Sequence, residues 1–345
     1  MNTAKAPFVT KLYDVFAREV KVGDLLRALA VIGPLAAAYF LSGDPAVLSL
    51  GLIAISLLIP ALKLQLTAKM VVFQFLAILV TFVALFLAAP VKPLFVLLTA
   101  LTAFLAVGVT RYGEALRTLG NWVFIPGVYL ACEVREQVSI AEAVRHASVI
   151  VAFSPIALAL ICAVQIHDRW SKPAALPPNY GPASSDWPLP ASATAIAVLA
   201  AAALVEILNL AQGQWVIWSA ASVVVGDITA STGKLKLRAI GAIVGVPLGL
   251  LVGLALPASR VGYSFAVLAT TLTLIAFSRY VVGFGSRCFF IALAAAFAGG
   301  ASGIAEERVA NVLIGGVFGL IAVVLTEIVW RRFARKAGGQ SGLPS

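Results

Sequence analysis

Four arginines fall inside apolar segments or at their ends: Arg145, Arg238, Arg287 and Arg308. A guanidinium is expensive in hydrocarbon and is kept there where it faces a cavity or a partner, and its planar fork matches a carboxylate. Two acids share that setting. Asp227 closes a short apolar segment just after Gly226, and Glu206 has no basic residue at helical spacing, so both are candidate proton carriers. Trp215 and Trp218 open the same short segment and can stack an aromatic ring. These residue types suit the binding and passage of an organic anion better than bond making. The chain has no phosphate-binding loop of the Walker type, no paired acidic motif of a prenyl transferase, no HExxH and no GxSxG. Cys132, Cys162 and Cys288 have no metal-ligand spacing, and His146 and His167 fall at segment ends as solvated or interfacial groups, so neither a metal nor a cofactor is expected. Plainer roles stay open beside these: Arg308 paired with Glu306 or Glu307, Arg238 as a topology charge, Asp227 as a solvated helix end, and Glu327 paired with Arg331 four residues on.

The elements that hold these residues are read from composition. Of 345 residues, 61% are hydrophobic and 12% charged, which no soluble core accommodates and which predicts an all-α polytopic membrane protein. Runs such as 71–89 and 308–330 are apolar on every face and so exclude a β-barrel. Twelve apolar segments emerge, at about 25–41, 46–62, 70–89, 93–109, 115–132, 146–166, 192–209, 213–228, 238–256, 261–278, 281–299 and 308–330. The net charge of +10 is dispersed between them instead of lining one face, which argues against nucleic acid. With the N-terminus inside, 19 Lys and Arg fall on the cytoplasmic side against five outside (Lys92, Arg135, Arg145, Arg260 and Arg308), with Arg287 inside a span; both termini are therefore expected in the cytoplasm. Leu12, Phe16 and Val20 give residues 1–24 an amphipathic pattern suited to the membrane surface.

Six prolines between Trp170 and Pro190 mark a cytoplasmic linker, 167–191, that separates a six-helix half, 25–166, from another, 192–330, followed by a basic tail, 331–345. At an offset of about 168, Arg111 and Tyr112 fall on Arg279 and Tyr280, so the halves read as parallel repeats. Gly241, Gly245, Gly249 and Gly253 clear one face of the ninth segment for close helix approach, and Gly315 and Gly319 do the same in the twelfth.

Trp215 to Ser219, the Arg238, Gly241, Gly245 pattern, and Arg308, Asn311, Gly315 and Gly316 resemble the fusaric acid resistance or aromatic acid exporter family, over about residues 193–330. Gly226 and Asp227 stand where that family commonly has Pro. The resemblance implies an efflux permease of a bacterial inner membrane for small, aromatic organic anions, driven by the proton-motive force. It also implies a periplasmic adaptor protein as partner, as in the short bacterial branch. The path expected from it runs from Asp227 and Arg238 to Arg308 and Arg145. A passive anion channel and a non-transporting subunit that docks an adaptor are the alternatives, and monomer and homo-oligomer fit the sequence equally.

Overall fold

The computed structural model describes residues 18–171, 180–299 and 301–338; most of the expected surface helix at the N-terminus and part of the linker lie outside them. Within the described residues the chain is helical with no strand, and each of the twelve apolar segments overlaps a helix. These are α1 (Val22–Ser42), α2 (Ala46–Leu64), α3 (Ala68–Ala88), α4 (Lys92–Gly108), α5 (Arg117–Arg135), α6 (Ile140–Ser171), α7 (Pro188–Leu208), α8 (Gln214–Val223), α9 (Ile228–Ala255), α10 (Arg260–Leu272), α11 (Tyr280–Phe297) and α12 (Ala301–Gly338).

Among the described residues, nine of these helices are long and apolar enough to cross a membrane. The exceptions are α5, α8 and α10. α5 has the length but carries Arg117, Asn121, Glu133 and Arg135. α8 has 10 residues and α10 has 13, about 15 and 20 Å of helix against a hydrocarbon core of about 30 Å. The expected segments 213–228 and 261–278 are thus only partly helical, because each gives way to irregular backbone before its apolar run ends. Large apolar side chains that face no protein, such as Phe73 (71% exposed) and Leu254 (74%), supply the lipid-facing surface of a multi-pass membrane protein.

Helix starts follow local chemistry. The Asp227 carboxylate accepts from Ala230 N–H (2.7 Å) at the start of α9, and the Ser259 hydroxyl accepts from Gly262 N–H (3.0 Å) at the start of α10. α1 and α7 both end on a left-handed residue, Gly43 (φ +70°) and Asn209 (φ +49°), each donating its N–H back into the last turn.

Two compact units form, and their limits cut through α2, α9 and α12. One unit joins the chain up to Ile55 with Ile240–Ala305. In it α10 packs on α1 and α11, around Ala266, Leu293 and Ala294. Arg260, at the start of α10, donates to the Phe40 carbonyl (3.1 Å) near the end of α1, and residues 19–21 bond to 276–278 through Lys21 N–H to Ala276 O and Ser278 N–H to Glu19 O (both 2.8 Å). The Gly241 to Gly253 face lies buried against α11: a Cβ on Gly245 would strike the Gly285 carbonyl oxygen, and one on Gly249 that of Phe289.

The other unit joins Ser56–Ala239 with Glu306–Ser345. Here α4 packs on α7, α3 on α5, and α8 on α7 and α5. Lys92, at the start of α4, donates to the Glu206 carbonyl and to Asn209 Oδ1 (both 2.8 Å) at the end of α7. The turn after α4 bonds to the lead-in of α7, with Ala115 N–H on Tyr180 O (3.0 Å) and Ser184 N–H on Thr110 O (3.1 Å). Gly315 and Gly319 sit against the Val216 and Ala220 carbonyls, bringing α12 and α8 close together. Each unit therefore draws helices from both sequence halves.

Candidate functional site

Helix alternation carries the C-terminal ends of α5 and α7 and the N-terminal ends of α4 and α8 to the same end of the second unit, where they meet an inner turn of α12. Arg135 and Glu206 form an ion pair there, with a second bond from Arg135 Nη2 to Glu206 Oε2 (3.1 Å). Glu206 is 3% exposed, whereas Arg135 is partly solvated and also lies 5.0 Å from the Phe95 ring. The partner that Glu206 lacks in local sequence thus comes from another helix, 71 residues away.

Beside this pair, Gln212 ties three elements together. Its backbone N–H and side-chain amide donate to Glu136 (2.9 and 3.1 Å), and its Oε1 accepts from Gln214 Nε2 (3.1 Å) and Trp215 Nε1 (3.3 Å). The carbonyls of Ala211 and Gln212 accept from Asn311 of α12 (3.1 and 3.3 Å). Gln212 holds a left-handed backbone (φ +54°), which turns the chain sharply into α8. One helical turn before Asn311, the Arg308 guanidinium carbon lies 3.6 Å from the centre of the Trp215 ring. Trp215 stacks on Trp218 (5.3 Å) and meets the edge of Tyr129 (5.5 Å). The result is a cation seated on one ring of a three-ring aromatic cluster, with Arg308 2% and Trp215 8% exposed.

At the other end of α8, Arg117 donates to the Val224 carbonyl. Since Gln212 meets Glu136 at one end of α5 and Val224 meets Arg117 at the other, α8 and its flanks run antiparallel along α5. Arg238 of α9 is 3% exposed, and Lys63, Arg117 and Arg238 lie within electrostatic range of Lys234. The unit carries a concentration of positive charge here and the Arg308 cluster at the opposite end of α8.

Several sequence expectations change. Arg238 and Arg308 do not stand at helix starts: α9 begins at Ile228 and α12 at Ala301, so the helices extend outward past their apolar cores and both arginines are buried inside them. Trp215 is occupied on its own chain by Arg308, Trp218 and Tyr129, leaving the half-buried Trp218 as the more accessible ring. Asp227 is exposed and spends its carboxylate on the α9 cap. His146, in the second turn of α6, is buried (2% exposed), whereas His167 is exposed. Arg145 is exposed on α6. Arg287 belongs to the other unit, where its Nε donates to Thr273 Oγ1 (3.3 Å), 5.9 Å from the Phe284 ring. Glu327 pairs with Arg331 as its spacing implies, and Glu306 lies among the side chains outside the description.

Lys92, Arg135, Glu136, Gln212 and Tyr129 were not legible as site residues. The signal for Lys92, Arg135 and Glu136 was their common place at helix ends, where the two cations also read as topology charges. No curated protein and no solved structure gives a significant match to the chain. Residues 199–322, the stretch that holds Trp215, Arg238 and Arg308, match the family described as fusaric acid resistance protein-like, so the resemblance carried by those residues holds over this part of the molecule.

Proposed function

We propose that the protein is an efflux permease for small organic anions, aromatic acids in particular, in a bacterial inner membrane with both termini in the cytoplasm. The observation that carries this reading is the pair of nearly fully buried arginines, Arg238 and Arg308, toward opposite ends of α8 in one membrane-embedded unit. Arginines at such depth are retained where an anion or a cavity rewards them, and successive weak attractions let an anion pass. Arg238 and its neighbouring cations receive the carboxylate from the cytoplasm, Trp218 offers a ring to stack on, and Arg308 with the exposed Arg145 lies on the exit side. Arg287 serves a separate path position in the other unit. Glu206 is the better proton carrier of the two acids: protonation frees Arg135 for a passing carboxylate, whereas Asp227 is a solvated cap at the cytoplasmic mouth.

The chain crosses twelve times in this reading, with α8 and α10 as half-length helices completed by irregular backbone. Two parallel repeats are supported by a reciprocal pattern. Lys92 and Arg260, 168 residues apart, each open the fourth helix of one half and bond the C-terminal turn of the first helix of the other half. Coupling to the proton gradient, the periplasmic adaptor and self-association belong to the same proposal. The test is flux of radiolabelled benzoate in proteoliposomes holding this chain alone. Accumulation against a gradient that a proton ionophore abolishes is the expected result. Downhill flux that ignores the ionophore means a channel, and no flux means a subunit that needs a partner.

A further inference from the structure

Among the described residues, a cavity of about 420 Å³ lies between α3, α4 and α5 in the second unit. Its walls are almost wholly apolar, and its rim residues Phe73, Val80 and Leu105 are exposed, so it opens sideways into the bilayer. Lys69, Arg111 and Arg117 flank this end of the three helices, and the charge distribution assigns that end to the cytoplasmic leaflet.

One polar side chain in the wall is left incomplete. Gln74, 2% exposed, donates from Nε2 to the carbonyls of Ser56 (2.8 Å) and Trp122 (3.5 Å). Both carbonyls lack their helical partner for one reason: the residue four positions on is proline, Pro60 in α2 and Pro126 in α5, which has no N–H to give. The amide orientation is imposed, since turning it over would set oxygen against two carbonyl oxygens. Gln74 Oε1 is then a buried acceptor with no hydrogen bond. The cavity falls in the size range of small-molecule pockets, which pair an apolar lining with a few polar groups.

We propose that this cavity binds a flat apolar molecule carrying one hydrogen-bond donor, the neutral protonated form of an aromatic acid or a phenol, taken from the inner leaflet with its donor on Gln74 Oε1. An ionised carboxylate brings only acceptors and is rejected by the same oxygen. The identity of the natural ligand rests on the export reading, but binding is measured apart from flux.

The probe is tritiated 1-naphthol, with 1-methoxynaphthalene, the same ring without the donor, as competitor, on the purified full-length chain. Saturable 1-naphthol binding is expected, with the methyl ether on the order of tenfold weaker. Ala77→Trp fills the cavity while leaving the bonds of Gln74 in place, and it removes the saturable component from protein that still elutes as a single species. Absent saturable binding, equal competition by the ether, retention of binding in Ala77→Trp, or a co-purified phospholipid that 1-naphthol does not displace would each overturn the site. A chain that binds 1-naphthol but exports nothing keeps this site and loses the proposed function; one that exports without binding does the reverse.

Discussion

At the scale of single residues, the arginines differ in what surrounds them, and the differences separate roles. Arg308 is buried with its guanidinium over Trp215, so ring contact contributes to holding its planar cation. Arg308→Lys keeps the charge but loses the flat stacking surface and the fork, and should lower benzoate flux about tenfold per folded molecule, a contribution of order 1–2 kcal/mol. Wild-type flux in that variant removes Arg308 from the path. The Arg135–Glu206 pair makes a different prediction. Glu206→Gln leaves a partly solvated arginine without its carboxylate, and the double replacement with Arg135→Gln should be less destabilised than the sum of the singles, by about 0.5–3 kcal/mol in thermal or denaturant melts. The same Glu206→Gln protein should carry benzoate at a rate that no longer responds to an imposed pH gradient. Retained gradient dependence would transfer proton coupling elsewhere.

At the scale of elements, backbone proximity and proline placement set the tolerance. The α9 glycine face touches carbonyl oxygens of α11, so Gly245→Leu has no room and should abolish folded protein, as read by monodisperse yield. Leu248→Ala, on the exposed side of the same helix, should change stability by less than about 0.5 kcal/mol. Normal yield from Gly245→Leu would mean that α9 and α11 do not pack through this face. The prolines in α2 and α5 free two carbonyls that one glutamine serves. Gln74→Leu should cost about 1–3 kcal/mol, and the loss should shrink where Pro60→Ala returns an N–H to the Ser56 carbonyl. An undiminished loss would assign the role of Gln74 to packing.

At the scale of the whole molecule, each compact unit takes helices from both halves of the sequence. Neither half holds a complete unit, so residues 1–174 and 175–345 expressed singly should fail to accumulate, while the two expressed together should co-purify. Stable, separately folded halves would contradict the exchange of α1 and α7 between them. The 19 to 5 division of basic residues further predicts that a cytoplasmic reporter is active when fused after residue 336 or within 172–188, and a periplasmic signal at either site would remove the twelve-pass topology.

Composition and the distribution of apolar runs determined, by themselves, that the chain is helical, that it is built for a bilayer, and where its twelve helices lie. These follow from local free energies: each buried backbone group in lipid has to be satisfied within its own helix, and each apolar run reports its own transfer cost. The spacing of Gly241 to Gly253 and of Glu327 to Arg331 was legible for the same reason, because the partners lie on one helix face or on a face that one helix alone can clear. Sequence could not reveal the ion pair of Glu206, the ring seat of Arg308 or the acceptor left on Gln74. Their partners are tens to about a hundred residues distant, and only the packing of α3 on α5, α4 on α7, α8 on α7 and α5, and α12 on α8 brings them within bonding range. The lengths of α8 and α10 were likewise decided by tertiary structure, since an apolar run fixes burial in lipid or protein but not the point at which irregular backbone, sheltered by neighbouring helices, replaces the helix.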